Sequence, residues 1–320
     1  MRIPGRRAAR HAWRWTRSRG GPRGAILGYH RVADDDWDPL DLSLRPEWFA
    51  EQLGVLRKRG RPIALSRLAA GLTAGSLPER AVSVTFDDGY RNNLDVVKPL
   101  LERFEVPATL FVVSGSRGSE FWWDELTRIL RPKRDLPSRV SLDFEDGDAV
   151  LNTTGREARR RATVELARRM MQLPPDQVRR RLDDLWDQTG GRPQEDPEHR
   201  CMSDEELRLV TAGGLIEIGS HTVTHPVLTS HTEREQRSEI ESSKADLESA
   251  AGISITGFSY PNGSRNAATV ALVRAAGYAF ACSSNPDVVR STTPTWDLPR
   301  CWLPAGDGTR FSRWFARWVA

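Results

Sequence analysis

From residue 24 onward, short apolar runs alternate with segments whose apolar positions recur at the helical period. "AILGYHRV", "RPIAL", "AVSVTF", "ATLFVV", "LIEIG", "ITGFSY" and "YAFACS" read as strands. Between them, "PEWFAEQLGVLRKRG", "NNLDVVKPLLERF", "SDEELRLVTAGG", "EREQRSEIESSKADLESAAG" and "NAATVALVRAAG" read as helices. Pro46 suits a first helical turn, Ser203 with Glu206 forms a capping box, and glycines close several helices. Alternation of this kind predicts an α/β fold of parallel strands joined by crossover helices. The rhythm breaks after Val113 and resumes at Ser203; "FWWDELTRIL" and the Arg- and Glu-rich stretch near 155–190 predict a helical insertion over about residues 115–202. The chain therefore reads as a barrel-like domain over 24–303 carrying that insertion. A leader over 1–23, rich in Arg and Gly and without periodicity, is predicted to be disordered, and 304–320 is an amphipathic tail.

Composition narrows the partners. With 38% hydrophobic and 28% charged residues in 320, the chain has the make-up of a globular protein with a sizeable core. A net charge of +4 looks basic, yet only four of the 47 basic residues are lysine, and no module that reads bases is present. Nucleic acid is not an expected partner. The basic opening stretch lacks a seven-residue apolar core, no run nears the ~18 residues of a membrane span, and three scattered cysteines give no disulfide framework. These features predict a cytoplasmic protein. In the tail, Trp314, Phe315, Trp318 and Val319 are interleaved with Arg310, Arg313 and Arg317. Two readings follow: peripheral contact with the anionic inner face of the membrane, or a last helix packed on the body.

Three strand ends carry polar residues that core stability does not need: "TFDDG", "SHTVTHP" and "SYPNG". The β-branched residues between His221 and His225, and Pro226 after them, disfavour helix, so the pair belongs to a strand end and its loop. In parallel α/β folds the carboxyl ends of strands converge on one face, where sites are built. Two histidines and one carboxylate make a three-ligand metal site with an open position, and a second aspartate is then free as general base. A bound metal would acidify its water and polarise an incoming carbonyl. A turn at Asp-Asp-Gly and a pair of ordinary core or surface histidines are the competing readings.

These three segments, with "LGYHRV" and "LPR", resemble the polysaccharide deacetylases (the NodB-homology domain, carbohydrate esterase family 4) over roughly residues 24–303. The resemblance implies a distorted (β/α) barrel, a divalent metal, usually zinc with cobalt or nickel as substitutes, and removal of acetyl groups from N-acetylated sugars. It implies Asp87 as catalytic base and Asp88, His221 and His225 as metal ligands. Asn262, in the turn Pro261-Asn262-Gly263, would offer its backbone N–H to the oxyanion, and Thr222 would support the metal loop. Tyr260 and Pro261 would border the substrate. Trp123, beside Trp122 and Asp124, is either a platform for a sugar ring or part of the insertion's core.

Two positions depart from the family pattern. Where an arginine usually opens the third motif stands Ser259, so Arg300 in "LPR" is expected to approach Asp87 from another strand. No histidine follows His231, which is expected to start a helix; His30 is then the expected general acid, as in the subgroup acting on poly-N-acetylglucosamine. The expected substrate is an N-acetylated glycan or, in the cytoplasm, a glycan precursor such as a lipid-linked or nucleotide sugar. Hydrolysis of another non-peptide C–N bond, sugar O-deacetylation and a non-catalytic carbohydrate-binding role stay open.

Overall fold

A computed structural model describes residues 23–191, 197, 199–303 and 306–319 of the chain. Residues 1–22 of the expected leader lie outside the described residues. The larger of two compact units comprises, among the described residues, 23–34, 42–119 and 200–319. It is built on strands β1 (Arg23–Tyr29), β2 (Ala81–Phe86), β3 (Ala108–Val112), β4 (Ile216–Ser220), β5 (Gly257–Ser259), β6 (Phe280–Cys282), β7 (Val289–Arg290) and β8 (Cys301–Trp302).

Six strands run parallel in the order β6-β5-β4-β3-β2-β1. All six residues of β2 are buried, as expected for a parallel strand covered on both faces. The sheet curls into a half-barrel, and the last segment spans its two edges. Leu298 bridges to Cys282 on β6, and Cys301 and Trp302 pair with Leu27 and Gly28 on β1. Strand β7 adds antiparallel at the start of β1. This closure carries Arg300 into the barrel interior, where it is 0% exposed.

The predicted elements are present with local differences. "RPIAL" is a strand only over Arg61–Pro62 and turns into a helix at Leu65–Thr73, whose Leu65, Leu68, Ala69 and Leu72 form one buried stripe. The helix after β2 opens with a π turn, Asn93–Val97, before Lys98–Phe104. Pro99 has no N–H to continue an ordinary ladder, and a wider turn next to it accommodates that loss.

The tail forms a helix, Gly308–Trp318, capped by the Asp307 side chain, with Phe311 and Phe315 buried. Gly308 N–H donates to Glu51 at 2.7 Å, and Phe315 lies where a side chain on Gly60 would stand. Phe315 and Val319 are thus buried against the body, as in the second of the two readings of the tail, while Trp314 and Trp318 are half-buried. Among the described residues no helix is long and apolar enough to cross a membrane.

The smaller unit comprises residues 35–41 and the described part of 120–199. It is not all helical. Beside helices Trp122–Ile129, Arg156–Met170 and Pro175–Gln188 it holds a hairpin, Arg139–Leu142 with Ala149–Asn152. Val140 and Leu142 point inward and Arg139 and Ser141 outward, a period of two with Asp146-Gly147 in the turn. Several arginines here have structural partners. Arg159 donates to the carbonyls of Thr153, Arg131 and Arg134, each at 2.8 Å, and Arg179 meets both oxygens of Glu125 at 2.8 and 2.9 Å.

Candidate metal and active site

The site is assembled at the carboxyl ends of β1, β2, β4 and β5. His30, Asp87, His221 and Tyr260 are the first residues past those strands. Their backbones are tied across the sheet: Asp87 N–H to Tyr29 O, His221 N–H to Val112 O and Tyr260 N–H to Cys282 O, at 2.9, 2.9 and 3.0 Å.

Asp88, His221 and His225 offer one ligand atom each, all within 4.8 Å of one another. Nε2 of His221 is 4.0 Å and Nε2 of His225 3.8 Å from Asp88 Oδ1. His221 Nδ1 lies 2.7 Å from the Ser259 carbonyl, which can only accept. The ring proton is therefore on Nδ1, and the Nε2 lone pair faces Asp88. Burial pushes His221 down to about 4, and burial followed by the nearby His221 lowers His225 well below the ordinary value. Both rings are neutral near pH 7, and with one carboxylate they form an O,N,N donor set that fits a divalent ion of the zinc type.

The backbone around these ligands is strained. Asp88, Thr222, His225 and Asn262 all have φ between 56° and 72°. Left-handed conformations cost about 1–3 kcal/mol at non-glycine residues, and for β-branched Thr222 they are rare. Thr222 Oγ1 accepts from His225 N–H at 3.0 Å, which holds the turn between the histidines. Gly219, one residue before β4 ends, lets the strand pass Phe111, since a Cβ there would stand 2.5 Å from that ring.

Asp87 is the centre of a second constellation. Arg300 Nη1 and Nη2 donate to its two carboxylate oxygens at 2.6 and 2.8 Å. Nη2 also reaches Ser259 Oγ at 2.9 Å, and Nε donates to Ser283 O at 3.1 Å. Ser259, standing where the family places an arginine, thus holds the arginine that comes from the closing segment. Burial alone would raise the Asp87 carboxyl; the Arg300 guanidinium overcomes it and holds the group well below the usual carboxylate range. Asp87 Oδ2 is also 3.6 Å from His221 Nε2, so the two constellations share a wall.

His30 is buried, and its ring stacks on Trp302 at 4.8 Å and 25°. The Arg300 guanidinium lies over the same indole at 4.7 Å. Gly28 makes room for that indole, because a Cβ there would be 2.9 Å from it. Burial lowers the His30 pKa well below its ordinary value, with Asp87 pulling the other way. Asn262 sits in the turn Pro261–Gly263 with φ 56°, and the N–H groups of Gly263 and Ser264 close that turn on Tyr260 O and Pro261 O.

Two expected substrate contacts are placed elsewhere. Tyr260 is 0% exposed and donates its hydroxyl to Trp296 O at 3.1 Å. Ser259 faces Arg300, so alternation turns Tyr260 to the other face of the strand, with Phe258 at 5.3 Å. Trp123 is 2% exposed and stacks on Phe121 at 4.5 Å, inside the smaller unit's core rather than on a surface a pyranose could reach. Pro261 is buried at the start of its turn. His231 precedes Thr232, the side-chain cap of the helix Glu233–Ala251, as expected for a helix-start residue. The sequence reading missed Trp302, for which only its place after "LPR" offered a signal, and Glu239, considered below.

A family model described as polysaccharide deacetylase matches residues 74–136 and 187–281. A poly-β-1,6-N-acetyl-D-glucosamine N-deacetylase of Escherichia coli K12 is 36% identical over 84 residues, which is 26% of this chain and 12% of that relative. Among solved structures, IcaB from Ammonifex degensii aligns with a TM-score of 0.61 at 19% identity, covering 92% of this chain and 97% of that one. Streptococcus pyogenes deacetylase PplD, in complex with acetate, aligns at 0.60 and 15%, covering 92% and 98%. These likenesses confirm the (β/α) barrel. The segments matched by the polysaccharide deacetylase model cover just under half of the chain and hold "TFDDG", "SHTVTHP" and "YPNG".

Proposed function

We propose that the protein hydrolyses the acetamide of an N-acetylated sugar in a polysaccharide or glycan precursor, releasing acetate and a free amine. The observation that carries this reading is the juxtaposition of the Asp88–His221–His225 cluster with Asp87 gripped by Arg300. A divalent ion in that cluster, zinc with cobalt or nickel as substitutes, supplies a Lewis acid that acidifies water and polarises the acetamide carbonyl.

The chain's own groups do the rest. Asp87 takes the proton from the attacking water. Its low pKa makes it a weak base, so Arg300 serves to orient it rather than to strengthen it. The Asn262 N–H donates to the developing oxyanion. His30 protonates the departing nitrogen. Burial lowers the His30 pKa and Asp87 pulls it the other way, so the proton that His30 delivers is the one the attacking water gave up to Asp87.

Chelation followed by metal return tests this function. Stripped protein should release acetate from N-acetylglucosamine oligomers about 100-fold or more slowly, and zinc should restore the rate. Full activity in protein shown to be metal-free would refute the proposal.

A further inference from the structure

We infer that Glu239 is a positioning residue for metal binding, clamping the loop that carries His225. It lies on the helix Glu233–Ala251, outside every motif that names the site. Its Oε2 accepts the backbone N–H groups of Val223 and Thr224 at 2.8 and 2.9 Å, and its Oε1 accepts the Thr224 hydroxyl at 2.8 Å. One carboxylate thus takes up three donors from the two residues just before His225.

The opposite edge of the same loop is held by backbone. Ser114 N–H donates to Thr222 O at 3.0 Å and Gly115 N–H to Val223 O at 2.9 Å. Only glycine permits that approach, because a Cβ on residue 115 would stand 2.6 Å from Val223 O. Ser114 is itself anchored to the same helix, donating to Asp246 at 3.1 Å. The loop is therefore gripped from both sides where Thr222 and His225 take left-handed backbone. A loop so strained keeps its shape only if its surroundings over-determine it. Thr224 is exposed, so without the carboxylate water would take its place at the loop edge and the loop would relax. The consequence falls on His225, one residue further on, while the core of the barrel is unaffected.

This inference rests on the metal reading of the site, and zinc titration of the wild type separates the two. If the wild type binds no zinc, the metal reading itself fails. Given wild-type binding, Glu239→Ala should weaken zinc affinity by about 10–100-fold, the usual range for groups that orient a metal ligand. The melting temperature of the metal-free protein should change little. Glu239→Gln, whose amide can still accept from the backbone and donate to Thr224 Oγ1, should recover most of the affinity. Unchanged zinc affinity in Glu239→Ala would overturn the inference, as would a metal-free melting temperature lowered enough to account for any loss.

Discussion

Replacing Asp87 with asparagine should lower the rate of acetate release by about 10²–10⁴-fold, the range for loss of a positioned general base. The variant keeps the size of the side chain and an oxygen for one arm of Arg300. The Asp88, His221 and His225 cluster is untouched. Metal content should therefore match the wild type while turnover collapses. Measuring both on one preparation separates loss of the base from loss of the metal. A wild-type rate with asparagine at this position would place the base elsewhere.

Arg300→Met should produce the largest loss of stability. Arg300 is fully buried and satisfies both oxygens of Asp87, the Ser259 hydroxyl and the Ser283 carbonyl. Removing one partner of a buried pair strands the other charge, at a cost of about 3–5 kcal/mol. The pH dependence has a definite sign. In the wild type the Asp87 pKa is depressed, so its contribution is present above the unfolded value of about 4 and lost as pH falls through the folded one. Without Arg300 the burial effect dominates and the Asp87 pKa rises instead. The ionised carboxylate then destabilises the variant at neutral pH, and protonation relieves it. Denaturant unfolding of metal-free protein should show a deficit that is widest near pH 7.5 and narrows toward pH 4.5. An equal deficit at both values would mean that Arg300 contributes packing rather than a charge pair.

Much of this was legible in the sequence because local chemistry and position coincide at strand ends. "TFDDG" and "SHTVTHP" each mark a place where an apolar run stops at ligand-type residues, and parallel topology brings such ends together. Arg300 was readable only through the family resemblance, from the serine standing where that family places an arginine. Its path through the interior depends on the segment from Leu298 to Trp302 spanning both sheet edges, which no local pattern encodes. Tyr260, expected beside the substrate from its place in "YPNG", is instead turned away by strand alternation. Trp123 shows the same limit, since a helical aromatic pair does not reveal which ring is covered. The hairpin at 139–152 carried a period-two signal masked by its short strands. Glu239 had a signal in retrospect: it lies three residues after Gln236 and four before Ser243 on the inward side of its helix, an odd place for a carboxylate without partners to satisfy.

The central claim is hydrolysis of an acetamide at the Asp87 and metal constellation. Its most direct test is the joint quantification of acetate and new primary amine from N-acetylglucosamine oligomers incubated with the zinc-loaded wild-type protein. Acetate and amine should appear in equal amounts. Acetate without amine, or neither product from protein with zinc bound, would contradict it.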